Sequence, residues 1–101
     1  MAIEIRDNPD QERIEIHVDG ELAGFTVYRR RPGIKAFVHT EIDPEFEGQG
    51  LGGKLIAQAL DDARAAGDDV LPFCPFVNHF IKSHDEYRDL VPEDMRSKFG
   101  L

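Results

Sequence analysis

A chain of 101 residues, 41% hydrophobic and 32% charged, has enough material for one folded domain with one core and too little for two. Its formal net charge of −8 argues against general nucleic-acid binding, which depends on Lys and Arg neutralising phosphates. The single cysteine, Cys74, excludes an internal disulfide framework. No apolar run approaches the roughly 18–20 residues that span a bilayer, and the alternating, acid-bearing start is unlike a signal peptide. The expectation is a cytoplasmic protein without membrane contact.

Residues 2–7 read as a strand with Ile3 and Ile5 on one face, and Asn8-Pro9-Asp10 as a turn. Residues 12–18 give a cleaner strand: Ile14, Ile16 and Val18 point one way, Arg13, Glu15 and His17 the other, with His17 expected at the surface. Asp19-Gly20 is a two-residue hairpin signal, residues 21–30 continue as a third strand, and Arg31-Pro32-Gly33 turns again. Strict alternation over residues 34–42 predicts a fourth strand. It puts Ile34, Ala36, Val38, Thr40 and Ile42 on one face, and Lys35, Phe37, His39 and Glu41 on the other. The first half is thus an expected antiparallel meander of four strands.

Asp43-Pro44-Glu45-Phe46 breaks the strand, and from residue 50 to 66 the apolar period becomes helical. Leu51, Leu55, Ala59 and Ala63 form one face, widened by Ile56 and Leu60, and Gly67 stands where a C-terminal cap belongs. Residues 69–73 predict a short fifth strand. Pro75 suits the first position of a second helix with Phe76, Val77, Phe80 and Ile81 as its apolar face. The polar tail predicts one or two short helices docked by Tyr87, Leu90, Val91, Met95 and Phe99.

At the mouth of the first helix lies Glu47-Gly48-Gln49-Gly50-Leu51-Gly52-Gly53-Lys54. Glycines free the backbone to turn and admit a ligand to bare amides, and a helix start adds unpaired N–H groups and a positive dipole end. Together these make an anion site, most often for phosphate. The stretch formally matches GxGxxG, with Asp68 about 20 residues on, but that fingerprint belongs to a parallel βαβ unit and too little chain follows to build one. It also matches the body of a P-loop, yet Leu55 stands where Ser or Thr must hold magnesium.

The order of elements resembles the GNAT superfamily of acyl-CoA-dependent N-acyltransferases, and more narrowly its very small single-domain branch. The resemblance runs from about residue 21 to 90. It is carried by His39-Thr40-Glu41, by the glycine loop as a pyrophosphate loop beginning at Glu47, and by Cys74-Pro75-Phe76-Val77 followed by His84-Asp85-Glu86-Tyr87. Two residues depart from the family pattern. Glu47 stands where a basic or amide residue is usual, and Phe80 stands where many members place a tyrosine that protonates the departing thiolate. The resemblance implies a single α+β domain over residues 1–101, of the α/β three-layer GNAT kind. It also implies acetyl-CoA as cosubstrate, no metal, and an amine acceptor that is a small molecule or a protein side chain. The chain is expected to be a monomer or homodimer without direct nucleic-acid contact. Two activities stay open: an N-acetyltransferase, or a non-catalytic or regulatory CoA-binding module.

The site residues follow from that resemblance and from their chemistry. Gly48, Gln49, Gly50, Leu51, Gly52, Gly53 and Lys54 are expected at the pyrophosphate, Thr40 and Ile42 along the pantetheine arm, and Asn78 and Lys82 near the adenosine end. His39 and Glu41, two residues apart on one strand face, are candidate general bases. Cys74, ahead of a predicted helix N-terminus that favours a thiolate, is a candidate either to carry the acetyl group or to protonate the leaving thiolate. Arg29-Arg30-Arg31 forms a basic hairpin tip.

Overall fold

A computed structural model describes all residues from 1 to 101. Its strands are β1 (Ile3–Asn8), β2 (Arg13–Val18), β3 (Glu21–Arg31), β4 (Ile34–Ile42) and β5 (Asp69–Pro72), and its helices are α1 (Leu51–Ala66) and α2 (Pro75–Ser83). The strands form one sheet in sequence order, antiparallel from β1 to β4 and parallel only between β4 and β5. Parallel neighbours need a crossover, and α1 is that crossover. The expected meander, helix, fifth strand and final helix are all present. No helix is long and apolar enough to cross a membrane.

Local chemistry accounts for the joints. Asp19 and Gly20 both take positive φ, 51° and 83°, as a tight hairpin between β2 and β3 requires. Gly67 takes φ 74° at the end of α1 and returns its N–H to the carbonyls of Ala63 and Arg64. Pro75 opens α2 with Cys74 as its N-cap. The tail forms three short 3₁₀ turns, Asp85–Leu90, Glu93–Met95 and Ser97–Phe99, where one or two helices were expected. Leu90 and Val91 are buried, and Tyr87, Met95 and Phe99 pack on the core's edge.

All six residues of the expected α1 face are buried at 1% exposure or less. They join Ile14, Ile16, Val18, Tyr28, Phe37 and Val70 from the sheet and Val77 and Ile81 from α2 in one core cluster. Burying such a side chain contributes roughly 1.5–3 kcal/mol, which makes this cluster the main support of the fold. In α2 the outcome is narrower than expected: only Val77 and Ile81 are buried, while Phe76 is 43% exposed. Nine residues turn one face to the core, and Phe76 and Phe80 fall on a flank.

The alternation expected for β4 fails at its centre. Tyr28 pairs with Phe37 but Val27 pairs with His39, so Val38 is an extra residue in a β-bulge. The bulge reverses the parity, so that Lys35 and Phe37 before it share the core face with Thr40 and Ile42 after it. Phe37 is fully buried and Val38 is exposed, the reverse of the simple pattern. Lys35 is buried as well, its ammonium 4.7 Å from the centre of the Tyr28 ring. A second irregularity lies between Ile16 and His17. His17 was expected at the surface and is 9% exposed, because Glu15, at 3.6 Å from its Nε2, and the neighbouring strands cover it.

Candidate functional site

The glycine stretch forms an open turn on the end of α1. Gly48 and Gly50 both take left-handed φ, 82° and 72°, and a β-carbon on either would meet nothing within 4 Å. Gly50 is the N-cap and provides no side-chain hydrogen bond, so the amides of Leu51, Gly52 and Gly53 have no side-chain cap. The first intrahelical bond is Lys54 N–H to the Gly50 carbonyl, at 3.3 Å. No acidic residue stands in the first turn of α1. These are the electrostatics of an anion site.

Beside the loop runs a groove of about 380 Å³, lined by Thr40, Ile42, Phe46, Glu47, Gly48, Gly50, Gly52, Gly53 and Phe76. It exists because β4 and β5 part company. Their pairing ends at Phe37 with Pro72, and Cys74 N–H makes a last bond to the Phe37 carbonyl at 2.8 Å. Beyond that point the chain turns into α2, and residues 38–42 of β4 keep a strand edge that β5 does not use. An extended ligand carrying amides can pair with such an edge.

Cys74 sits at the fork. It is 3% exposed, and its thiol donates to Thr40 Oγ1 at 3.3 Å. Thr40 Oγ1 lies 2.9 Å from Thr26 Oγ1, which in turn donates to the His39 carbonyl at 3.4 Å. A connected run of hydroxyls therefore joins the thiol to the backbone of the bulge. His39 and Glu41 project from the opposite face of β4, the face of Phe25 and Val27 across the ladder. His39 Nε2 is 3.5 Å from Glu41 Oε2, and both side chains are more than half exposed.

The other expected site residues divide by position. Gln49 and Lys54 are exposed on the loop and on the first turn of α1. Leu51 is 1% exposed, so only its amide is available to a ligand. Gly52 has a packing reason of its own: a β-carbon there would lie 2.6 Å from the Phe76 ring. Asn78 and Lys82, expected near the adenosine end, are not in this groove. Phe76 and Phe80 turn to Gly52 and Gly53, and a helix cannot present positions 78 and 82 on that same flank. Asn78 instead donates to the Phe99 carbonyl at 2.9 Å, and Lys82 lies along the C-terminal segment. The basic tip at Arg29, Arg30 and Arg31 lies at the far end of the β3–β4 hairpin from the loop.

Three contributors escaped the sequence reading. Thr26 was invisible until register placed it opposite Thr40. Val38 carries no bulge signal. Gly24 did carry one, since a glycine inside a strand marks a bulge or a close approach. A β-carbon there would sit 2.5 Å from the Glu41 carbonyl oxygen and 2.6 Å from Ile42 Cδ1.

The α+β sheet forks beside a glycine-capped helix, so an anion-favouring helix end and a free strand edge share one groove. The family model of the GCN5-related N-acetyl-transferases matches residues 13–90, more than half of the chain, and the protein belongs to that family. Among solved structures it is similar to a GCN5-like protein from Staphylococcus aureus, at 24% identity and TM-score 0.68, over 88% of this chain and 87% of that one. It is also similar to a ribosomal-protein-alanine N-acetyltransferase from Brucella melitensis biovar Abortus 2308, at 23% identity and TM-score 0.53, over 73% and 57% of the two chains. N-acetylglutamate synthase from Neisseria gonorrhoeae, solved with coenzyme A and N-acetyl-glutamate, matches 95% of this chain at 18% identity and TM-score 0.53. Only 26% of that enzyme is covered. No curated protein matches the sequence.

Proposed function

We propose that this protein transfers the acetyl group of acetyl-CoA to an amine. The observation that carries the reading is the forked edge of β4 meeting the uncapped amides of Leu51, Gly52 and Gly53 in one groove. The amides and the helix dipole take the pyrophosphate. The pantetheine arm lies along β4 at Thr40 and Ile42, and its thioester reaches the fork beside Cys74. Glu47 lines the rim of the same groove. Its charge weakens phosphate binding there, and Lys54 on the first turn offsets it.

In the reaction the amine nitrogen bonds to the thioester carbon and the C–S bond breaks. One proton leaves the amine and one arrives on the CoA sulfur. His39, its Nε2 beside Glu41, takes the first from the open face of the sheet, directly or through water. Cys74 supplies the second, the role that Phe80 cannot fill. Its near-complete burial favours proton delivery over an acetyl-cysteine intermediate, since a packed site has no room for the added group.

Turnover of acetyl-CoA with a panel of amines, followed by CoA release, tests this directly. Cys74→Ala is expected to lower kcat by about a hundredfold, the usual range for a lost general acid. Intact-mass analysis of the wild type during turnover is expected to show no acetylated enzyme. An acetyl group trapped on Cys74 would replace the acid role with a nucleophilic one. Tight CoA binding with no transfer to any amine would instead leave a CoA-binding module.

A further inference from the structure

On the far flank of α2 from the glycine groove is a second cavity, of about 570 Å³. The two share no lining residue. Its apolar walls are Phe73 and Phe99, edge to face at 5.1 Å. Its charged groups are Lys82 and Lys98, His79 also lines it, and no carboxylate does. Neither lysine is ion-paired, in a chain whose net charge is −8. The Lys98 ammonium rests instead 5.3 Å from the Phe73 ring and 5.9 Å from Phe99. An unpaired basic pair in an acidic protein makes a local positive field that gathers anions.

Position ties this cavity to the reaction centre. Two of its lining residues, Phe73 and Pro75, are the chain neighbours of Cys74. Phe73 is half exposed and lies one residue beyond β5, whose last pairing is Pro72 with Phe37. The tail wall is fixed by the Asn78 bond to the Phe99 carbonyl.

We infer that this cavity is the acceptor site and that it selects an amine carrying a carboxylate, of the apolar amino-acid type. The carboxylate pairs with Lys82 and Lys98, the apolar part packs on Phe73 and Phe99, and the amine is left toward the fork at Cys74. A lysine side chain or a polyamine would meet like charge. The inference rests on the acetyl-transfer reading for its chemistry but not for its binding. The other source of an anion is the 3′-phosphate of CoA. Phe73 and Pro75, which flank Cys74 in the chain, line this cavity and not the glycine groove, which favours the acceptor as its occupant.

The test compares L-phenylalanine with 2-phenylethylamine, which differ by the carboxylate. The wild type is expected to use L-phenylalanine with a kcat/KM about tenfold higher, the scale of a charge-assisted hydrogen bond. Lys82→Ala/Lys98→Ala is expected to abolish that preference by raising KM for the amino acid, with KM for acetyl-CoA unchanged. Lys98→Glu is expected to reverse the preference. Equal use of both amines by the wild type overturns the inference. So does a double variant whose defect is in KM for acetyl-CoA and disappears with dephospho-CoA, which would give the lysines to the 3′-phosphate. If no amine is acetylated, the transfer reading fails, and calorimetry on the CoA-saturated protein decides the cavity alone. Binding of L-phenylalanine but not 2-phenylethylamine, lost in the double variant, upholds it; no difference between the two ligands overturns it.

Discussion

At the scale of single residues, glycines in this chain do unlike jobs. Gly48 and Gly50 serve backbone conformation at the loop, whereas Gly24 and Gly52 serve close approach. Gly24→Ala forces a β-carbon into the Glu41 carbonyl, a backbone atom that cannot step aside without moving β4. The expected cost is about 2–3 kcal/mol, the overpacking range, read as a lower midpoint in urea unfolding. Gly52→Ala meets the tip of the half-exposed Phe76 ring instead, which can swing aside. Its expected signature is near-normal stability with weaker CoA binding, because the displaced ring enters the groove. Glu15 supplies a pH-dependent contribution. Its carboxyl is held below the ordinary value of 4.5, chiefly by the hydrogen bond from Asn8 at 3.0 Å, with Arg13 adding to it against the effect of burial. A depressed carboxylate contributes stability above its unfolded pKa and loses it as pH falls through the folded value. Acid unfolding curves of Glu15→Gln should therefore be flatter than the wild type's below about pH 4.5, and equally sloped curves would remove Glu15 from the account.

At the scale of elements, legibility followed periodicity. The α1 face was readable residue by residue because a 16-residue helix repeats its signal over four turns. Turns marked by Asp19-Gly20, Gly67 and Pro75 were readable because glycine and proline act through their own backbone limits. β4 was half readable. Its existence showed in the alternation, but one inserted residue, Val38, changed which half faces the core, and a bulge needs no special side chain to form. The same gap hid the Cys74–Thr40–Thr26 run, since Thr26 enters it only through register. α2 was misread at Phe76, which is exposed while Phe80 packs on the core's edge, because a short apolar helix does not say which of its flanks is covered. Deleting Val38 tests this reading of β4. Without the extra residue the strand alternates regularly, and Lys35, Phe37, Thr40 and Ile42 stay on one face. The variant is expected to keep a cooperative thermal transition, and loss of that transition would show that Val38 is not simply an inserted residue.

At the scale of the whole molecule, one helix divides two kinds of surface. On one flank of α2 are a glycine turn, a free strand edge and a rim glutamate; on the other are two unpaired lysines between two phenylalanines. Cys74, the N-cap of α2, lies in the chain between Phe73 and Pro75 of the second flank. The glycine-rich helix start was legible in the sequence, whereas the second flank depends on a C-terminal segment folding back onto α2, which no local pattern announces. On the proposed function, acetyl-CoA fills the groove between the loop and β4, its thioester at the fork. An amide-resolved NMR titration of the protein with acetyl-CoA decides this. The largest shifts are expected at Gly48, Gly50, Leu51, Gly52 and Gly53, continuing along Thr40 and Ile42 to Cys74. Shifts confined to the far hairpin tip at Arg29, Arg30 and Arg31, or an unchanged glycine loop at saturation, would contradict it.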